Sequence, residues 1–485
     1  MLRERLRPST TTLLAGAAVG VYLLVVAGAT AALADAARAC PTWPGCRGSL
    51  AEPGVMVALG HRALALVVGV LTVAATVAVF RNPTARRVRA ATGLALALFP
   101  VQAIVGALLA TSGAATPLPG LHLGVGLAIF GSLVVSLAWH LELETGDPDD
   151  APAAGQTVDP PGVDPTVDSP TTPTDESSGP ASGTGTADPP AAFDGSGPGF
   201  WDRLLAYVRL TKPRLMWLLS LVAAAGMALA AGPDLAVRTV VLTLAGGVLA
   251  IGASGTFNHV LERDRDQRMQ RTADRPLATH QVPVTNALAF GFGLAIASLV
   301  LFLQLNPLAA GLGFAAILFY SVVYTLLLKP NTVQNTVIGG AAGALPAIIG
   351  WAAVTGRVGV AGLALAGLVF AWTPAHFYNL ALAYKEDYES GGFPMMPVVR
   401  GETETRKHIL LWLGATMATA GGLFWVTDLG FLAAGTTVLL GAVFLWAVLR
   451  LHREQTEAAA FRAFHASNAF LGAVLLAVVV DALAV

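Results

Sequence analysis

Charge is what this 485-residue sequence has least of: 12% of it is Asp, Glu, Lys or Arg, and 55% is hydrophobic. An average soluble domain carries about 25% charge, so a soluble globular fold is a poor match. A net charge of -1 offers no basic field, so nucleic acid is not an expected partner. Cysteine is nearly absent, and the two present, Cys40 and Cys46, leave room for a single bridge. Only four of the 29 basic residues are lysine.

Long apolar runs are abundant instead. Stretches of about 20 residues, enough to cross a bilayer core of roughly 30 Å, begin near residues 11, 55, 90, 121, 215, 236, 284, 308, 333, 358, 408, 430 and 468. Thirteen spans are therefore expected, and 52 glycines suit closely packed membrane helices rather than a barrel. The first run is too long for a cleavable signal and is expected to stay as the first span. Placing the N-terminus in the cytoplasm puts about 24 of the 29 Lys and Arg on the inner side, with four outside and Arg62 within a span. That orientation makes the linker and the charged loops cytoplasmic and leaves the C-terminus outside the cell membrane. Residues 147 to 195 hold ten acids, no Lys or Arg, and many Pro, Gly, Ser and Thr, so a disordered linker is expected there. Scarce lysine and an acidic linker fit a high-salt or GC-rich source.

Against this background, "FNHVLERDRDQRMQRTADRP" at residues 257 to 276 stands out for four acids and five arginines. Continued as a helix from the preceding run, it sets Asn258, Glu262 and Asp266 on one face and Asp264 on another. Gathered carboxylates repel one another unless a cation sits among them, and hard oxygen donors suit Mg2+ shared with a phosphate group. Arg271 and Arg275 follow, with forks that match phosphate oxygens. A solvated loop of local ion pairs is the plainer alternative. A second acidic stretch, "YKEDYESGGFPMMPVVRG", carries Lys385 and Asp387 to the same inner edge, where a bundle could bring the two face to face.

Four segments carry a family likeness: "LTKPRLMWL" (210 to 218), "NHVLERDRDQRMQRTADRPL" (258 to 277), "YTLLLKPNTVQNTVIGGAAGALPAIIGW" (324 to 351) and "WTPAHFYNLALAYKEDYESGGFPMMPVVRG" (372 to 401). Over about 280 residues they resemble the protoheme IX farnesyltransferase (haem O synthase) family of the intramembrane aromatic prenyltransferase superfamily. The resemblance implies an enzyme with nine helices that transfers a farnesyl group from farnesyl diphosphate to a haem B vinyl carbon. It further implies Mg2+ held by Asn258, Glu262, Asp266 and Asp387, with Lys212, Arg271, Arg275, Lys329 and Lys385 on the diphosphate. Glu262 stands where the superfamily usually has Asp. His376, in the "WTPAHF" segment, and Asn335 mark the region expected to meet the haem acceptor, although each could equally hydrogen-bond between helices. Tyr320 and Tyr324 read as interfacial aromatics.

The first four spans differ. In "ACPTWPGC" five residues, two of them proline, separate Cys40 from Cys46, and the outer face permits oxidation, so a disulfide is favoured over a metal site. His61 and His122 fall near the outer ends of the second and fourth spans, where two imidazoles on facing helices could bind haem or simply pack. "CPTWPGC", "GHRALALVVG" and "GLHLGVG" resemble half of the haem A synthase family over about 130 residues. That family's glutamate three residues before the first histidine is Ala58 here, and its second four-helix repeat is absent. Haem binding or a pairing role is thus implied, rather than oxidation of haem O. A haem A synthase or an oxidase-assembly protein is the partner class this suggests.

The expected fold is all-α: a four-helix membrane bundle (1–145), a linker (146–198) and a nine-helix prenyltransferase bundle (199–485). Two competing readings are a haem-binding or haem-delivery membrane protein and an aromatic prenyltransferase acting on a quinone precursor.

Overall fold

A computed structural model describes residues 8–33, 36–112, 117–147, 150 and 199–484. Among them thirteen helices are long and apolar enough to cross a membrane, the number expected from hydropathy. Of the expected linker only Gly146, Asp147 and Asp150 are described; the rest of residues 146–198 lies outside the described residues.

Four long helices span the N-terminal part among the described residues: α1 (Thr10–Leu33), α2 (Pro53–Arg81), α3 (Arg86–Ser112) and α4 (Leu118–Thr145). Each packs on its chain neighbour, and α1 closes against α4. Proline at the first turn opens α2, where its missing N–H costs nothing. Arg62, the basic residue inside this span, reaches back to the loop before α2 and donates to the carbonyls of Cys40, Pro44 and Gly45 at 2.9–3.2 Å. The loop it grips is closed by the expected Cys40–Cys46 disulfide.

An 11-residue helix, α5 (Phe200–Leu210), comes next and was not foreseen. Ala206 and Leu210 are buried, while Phe200, Trp201, Leu204 and Leu205 are exposed. An apolar face left open beside Arg203 and Arg209 is the arrangement of a helix lying in the membrane interface.

Nine spans follow: α6 (Pro213–Ala231), α7 (Val237–Asp266), α8 (Val284–Leu303), α9 (Pro307–Leu328), α10 (Asn335–Thr355), α11 (Val360–Ala383), α13 (Glu402–Val426), α14 (Phe431–Glu454) and α15 (Glu457–Ala484), with the short α12 (Lys385–Ser390) between α11 and α13. Small residues let α6 and α10 touch: a Cβ on Gly226 or Gly350 would strike a backbone carbonyl of the other helix. The second half of α9, Phe319–Leu328, is wound as a π-helix, a winding that often marks functional positions.

The two halves share one apolar core. Residues of α1 and α4 such as Leu14 and Leu133 pack in the same cluster as Leu413 and Phe444 of α13 and α14. At the C-terminal end of α4, Glu142 pairs with Arg87 at 2.9 Å and with Lys407 of α13 at 3.1 Å. Asp150 accepts from the Thr403 N–H at 2.6 Å, satisfying one of the free donors at the start of α13.

Candidate active site

α7 runs unbroken to Asp266, as its charge pattern suggested, and the spacing of four residues does what was expected of it. Asn258, Glu262 and Asp266 are all buried on the inward face. Asp264 is not part of this set: two residues from Glu262 it turns to the far side of the helix, where its 74% exposed side chain meets Arg263.

Each inward residue meets a cation from another part of the fold. Lys212 donates to the Asn258 amide oxygen. Lys329, just after α9, meets Glu262 at 2.6 Å, and Arg275 meets both oxygens of Asp266 at 2.7 and 2.8 Å. Arg275 also lies 4.0 Å from Glu262, so one guanidinium links two carboxylates. The Asn258 amide donates to Thr325 at 3.1 Å, and Thr325 in turn donates to the Tyr320 carbonyl five residues back, a bond that the π winding makes available.

The second acidic stretch closes on the first. Asp387 Oδ1 accepts from the Gln270 N–H at 2.6 Å, four residues past Asp266, while its buried Oδ2 has no hydrogen-bond partner among the described residues. Arg271 lies 3.9 Å from that Oδ2, donates to the Tyr388 hydroxyl at 3.3 Å, and stacks over the rings of Tyr384 and Tyr388. Burial raises the Tyr388 phenol, with Arg271 opposing it. Lys329 rests 4.3 Å above the Phe393 ring, which comes from the "GGFP" turn. Lys385 departs from expectation: it turns outward to Glu402 at 3.1 Å, because a position two residues before Asp387 on a short helix faces another way.

Lys212 sits at a left-handed backbone position, φ 54°, immediately before Pro213. A non-glycine residue held there is strained, and the strain persists only where the surroundings enforce it. Burial, together with Arg275 and Lys329, draws its ammonium down to about 7, against the pull of Glu262 and Asp266. A further anion bound beside it would raise that value again.

Beyond Lys212 the site opens into a cleft between α6, α7, α9 and α10. Its walls are apolar, among them Leu219, Ile251, Ile317 and Ile349, and Tyr320 stands at its charged end, 3.5 Å from the Lys212 ammonium. The reading of Tyr320 as an interfacial aromatic therefore gives way to a place in the cleft wall. Thr325 and Phe393 are site residues that sequence reasoning passed over. The only available signal was their position in two of the quoted motifs.

Residues 219–474 match the UbiA prenyltransferase family. Protoheme IX farnesyltransferase of Haloarcula marismortui is 62% identical over 480 residues, 98% of each chain. Protoheme IX farnesyltransferase 1 of Natronomonas pharaonis is 63% identical over 473 residues, again 98% of each. The chain belongs to the UbiA prenyltransferase family. A solved structure of digeranylgeranylglyceryl phosphate synthase in membranes shares the fold, with TM-score 0.50 at 16% identity, and covers 59% of this chain and 100% of that one.

The remaining expected residues lie apart from the charged mouth of this UbiA-family fold. His376 is stacked between Trp372, at 4.2 Å, and Phe464, at 4.4 Å, with Nδ1 2.7 Å from the Ser467 hydroxyl. Asn335 is buried and ties the start of α10 to the Pro394 carbonyl at 3.4 Å, so it makes the bond between segments that was one of its two readings. In the N-terminal part, the His61 and His122 rings face each other at 6.5 Å. Both Nδ1 atoms are buried without a hydrogen-bond partner among the described residues, and the Gln102 amide lies 3.3 Å from His122 Nε2. Glycine makes room for both rings: a Cβ on Gly28 would lie 3.5 Å from His61, and one on Gly106 would lie 3.0 Å from His122.

Proposed function

We propose that this chain transfers a farnesyl group from farnesyl diphosphate to a vinyl carbon of haem B, producing haem O. One observation carries the reading: a cluster of buried cations and carboxylates opens, through Lys212 and Tyr320, directly into an apolar cleft. A substrate with a charged head and a hydrocarbon tail fits both parts at once. Haem as the acceptor is supported by the names of the relatives, which match this chain almost end to end.

Mg2+ is the metal this donor set suits. Asn258, Glu262, Asp266 and Asp387 offer hard oxygens at one mouth, and the unpartnered Oδ2 of Asp387 is the kind of group a cation would satisfy. Among the described residues no three acidic, His or Cys side chains already form a metal shell, which leaves coordination to be completed by diphosphate oxygens. Bound there, the ion would supply positive charge against the diphosphate.

The chain's own residues do the rest. Arg271, Arg275, Lys329 and Lys212 stabilise the charge that grows on the diphosphate as the allylic C–O bond breaks and its electron pair leaves. Lys385, held by Glu402, acts at one remove by supporting the Asp387 helix. The apolar cleft keeps water from the allylic cation. The vinyl π electrons then form the new C–C bond, and water adds to the resulting cation with loss of a proton, leaving a hydroxyl. His376 and its aromatic neighbours are assigned to the haem side.

In the N-terminal part His61 and His122 are proposed to bind haem, supported by their facing rings and unpartnered Nδ1 atoms. The bias of basic residues supports placing the N-terminus and the charged mouth in the cytoplasm and the C-terminus outside, with a haem A synthase or oxidase-assembly protein as partner. Haems extracted from cells expressing the chain test the main reading. Haem O should accumulate with the intact protein and vanish with Asp266→Ala at equal membrane levels. Near-normal haem O from the variant would refute the assignment.

A further inference from the structure

The residues that follow α4 dock on the start of α13. Asp150 sets one carboxylate oxygen 2.6 Å from the Thr403 N–H, and the Asp147 N–H donates to the Thr403 hydroxyl at 3.1 Å. Gly401, at φ 84°, lets the two backbones meet: a Cβ there would strike the Asp150 carbonyl, so a larger residue has no room. Gln455, just past α14, donates to the Thr145 carbonyl at 2.8 Å and fixes the end of α4 from a third direction.

What these contacts hold is the first turn of α13. Glu402 opens that turn, and its carboxylate lies between the Lys385 ammonium at 3.1 Å and the guanidinium of the buried Arg406 at 3.6 Å. The same guanidinium donates to the Thr403 hydroxyl at 3.1 Å, so Glu402 and Thr403 are held together. Lys385 in turn opens α12, two residues before Asp387. A line of direct contacts therefore leads from Asp150 through Thr403 and Glu402 to the helix that presents the Asp387 carboxylate. The plainer account is a helix cap that stabilises α13 and reaches no further.

We propose that Asp150 is a positioning residue for the diphosphate site: by capping α13 it holds Glu402, and through Lys385 it sets where Asp387 stands. The N-terminal half thereby reaches the transferase site through the first residues past α4. This deepens the function proposed above and rests on its placing of the diphosphate beside Asp387.

Binding of farnesyl S-thiolodiphosphate, an unreactive analogue, with Mg2+ to the full chain in nanodiscs reads the site without the transfer step. The cap and the half-exposed Glu402–Lys385 pair are each weak contacts, so Asp150→Ala should weaken binding about threefold to fivefold. Asp150→Asn, which keeps an acceptor oxygen, should stay within about twofold of the parent. Glu402→Gln should match Asp150→Ala, and the double variant should be no weaker than either, because both act along one line. In haem O formation Asp150→Ala should raise the KM for farnesyl diphosphate and leave kcat within about twofold. A lowered Tm with unaltered analogue binding would make Asp150 a cap and no more. Losses that multiply in the double variant, or no loss with Glu402→Gln, would break the line between them, and equal weakening by Asn and Ala would remove the hydrogen bond from the account. The expected affinity changes in a protein that forms no haem O would refute the transfer reading while still assigning Asp150 its role.

Discussion

Asp387→Asn separates charge from shape at the site's second acidic position. Asp387 uses one oxygen to accept from the Gln270 N–H at 2.6 Å and leaves the other buried and unpartnered, 3.9 Å from Arg271. An asparagine keeps the acceptor, so the loop bearing Arg271 and Arg275 should hold its place, with only the charge assistance of one bond lost. That is about 1 kcal/mol of stability. Losing one preorganised charge from a water-poor reaction centre costs far more, about 3–4 kcal/mol, or roughly 10²–10³ in rate. The assay is haem O formation from haem B and farnesyl diphosphate by protein in nanodiscs, read by chromatography, beside a thermal unfolding scan of the same sample. A hundredfold or greater loss with a nearly unchanged Tm is expected. Turnover within threefold of the parent would refute a role for this carboxylate at the reacting centre, and a collapse of Tm in step with activity would assign it to structure alone.

Lys329→Met should destabilise the protein by about 3–5 kcal/mol by stranding the buried Glu262 charge, and adding Glu262→Gln should recover much of that in a denaturant titration without restoring turnover. Chelation with EDTA should stop haem O formation and Mg2+ should restore it, whereas turnover insensitive to chelator would remove the metal from the scheme. Glu402→Gln frees Lys385 and should raise the KM for farnesyl diphosphate a fewfold with kcat little changed; a matching fall in kcat would place Lys385 at the reacting atoms. His61→Ala and His122→Ala in the full chain should each abolish a haem absorbance band, and bands that survive both changes would rule out these ligands.

Span positions could be read because crossing a bilayer demands uninterrupted apolar length, a property that hydropathy records directly. The face shared by Asn258, Glu262 and Asp266 was equally legible, since it needs only a helix that does not stop at the membrane edge. Partners were harder. Nothing local says that Lys329 will answer Glu262 while Lys385 turns away to Glu402, because those choices depend on how α9, α12 and α13 are rotated. The π winding of Phe319–Leu328 shows why: its altered pitch re-aims Tyr320 and Thr325 toward Lys212 and Asn258, and ordinary helical periodicity does not contain it. The helix Phe200–Leu210 escaped because, at 11 residues, it is too short for a span.

The balance of charge at the mouth favours the proposed substrate site over a structural lock. Glu262, Asp266 and Asp387 face Lys212, Lys329, Arg271 and Arg275, which leaves one positive charge over when Lys212 is protonated. A fully ionised prenyl diphosphate with one divalent cation carries the opposite single charge, so the loaded site closes near neutrality inside a low-dielectric bundle. Without that load the surplus cation remains, and burial with Arg275 and Lys329 holds the Lys212 ammonium well below the usual lysine range. A purely structural network would gain by matching its charges internally, since unpaired buried charge is costly. Here the mismatch is kept, at a strained lysine, beside the cleft that would receive the tail.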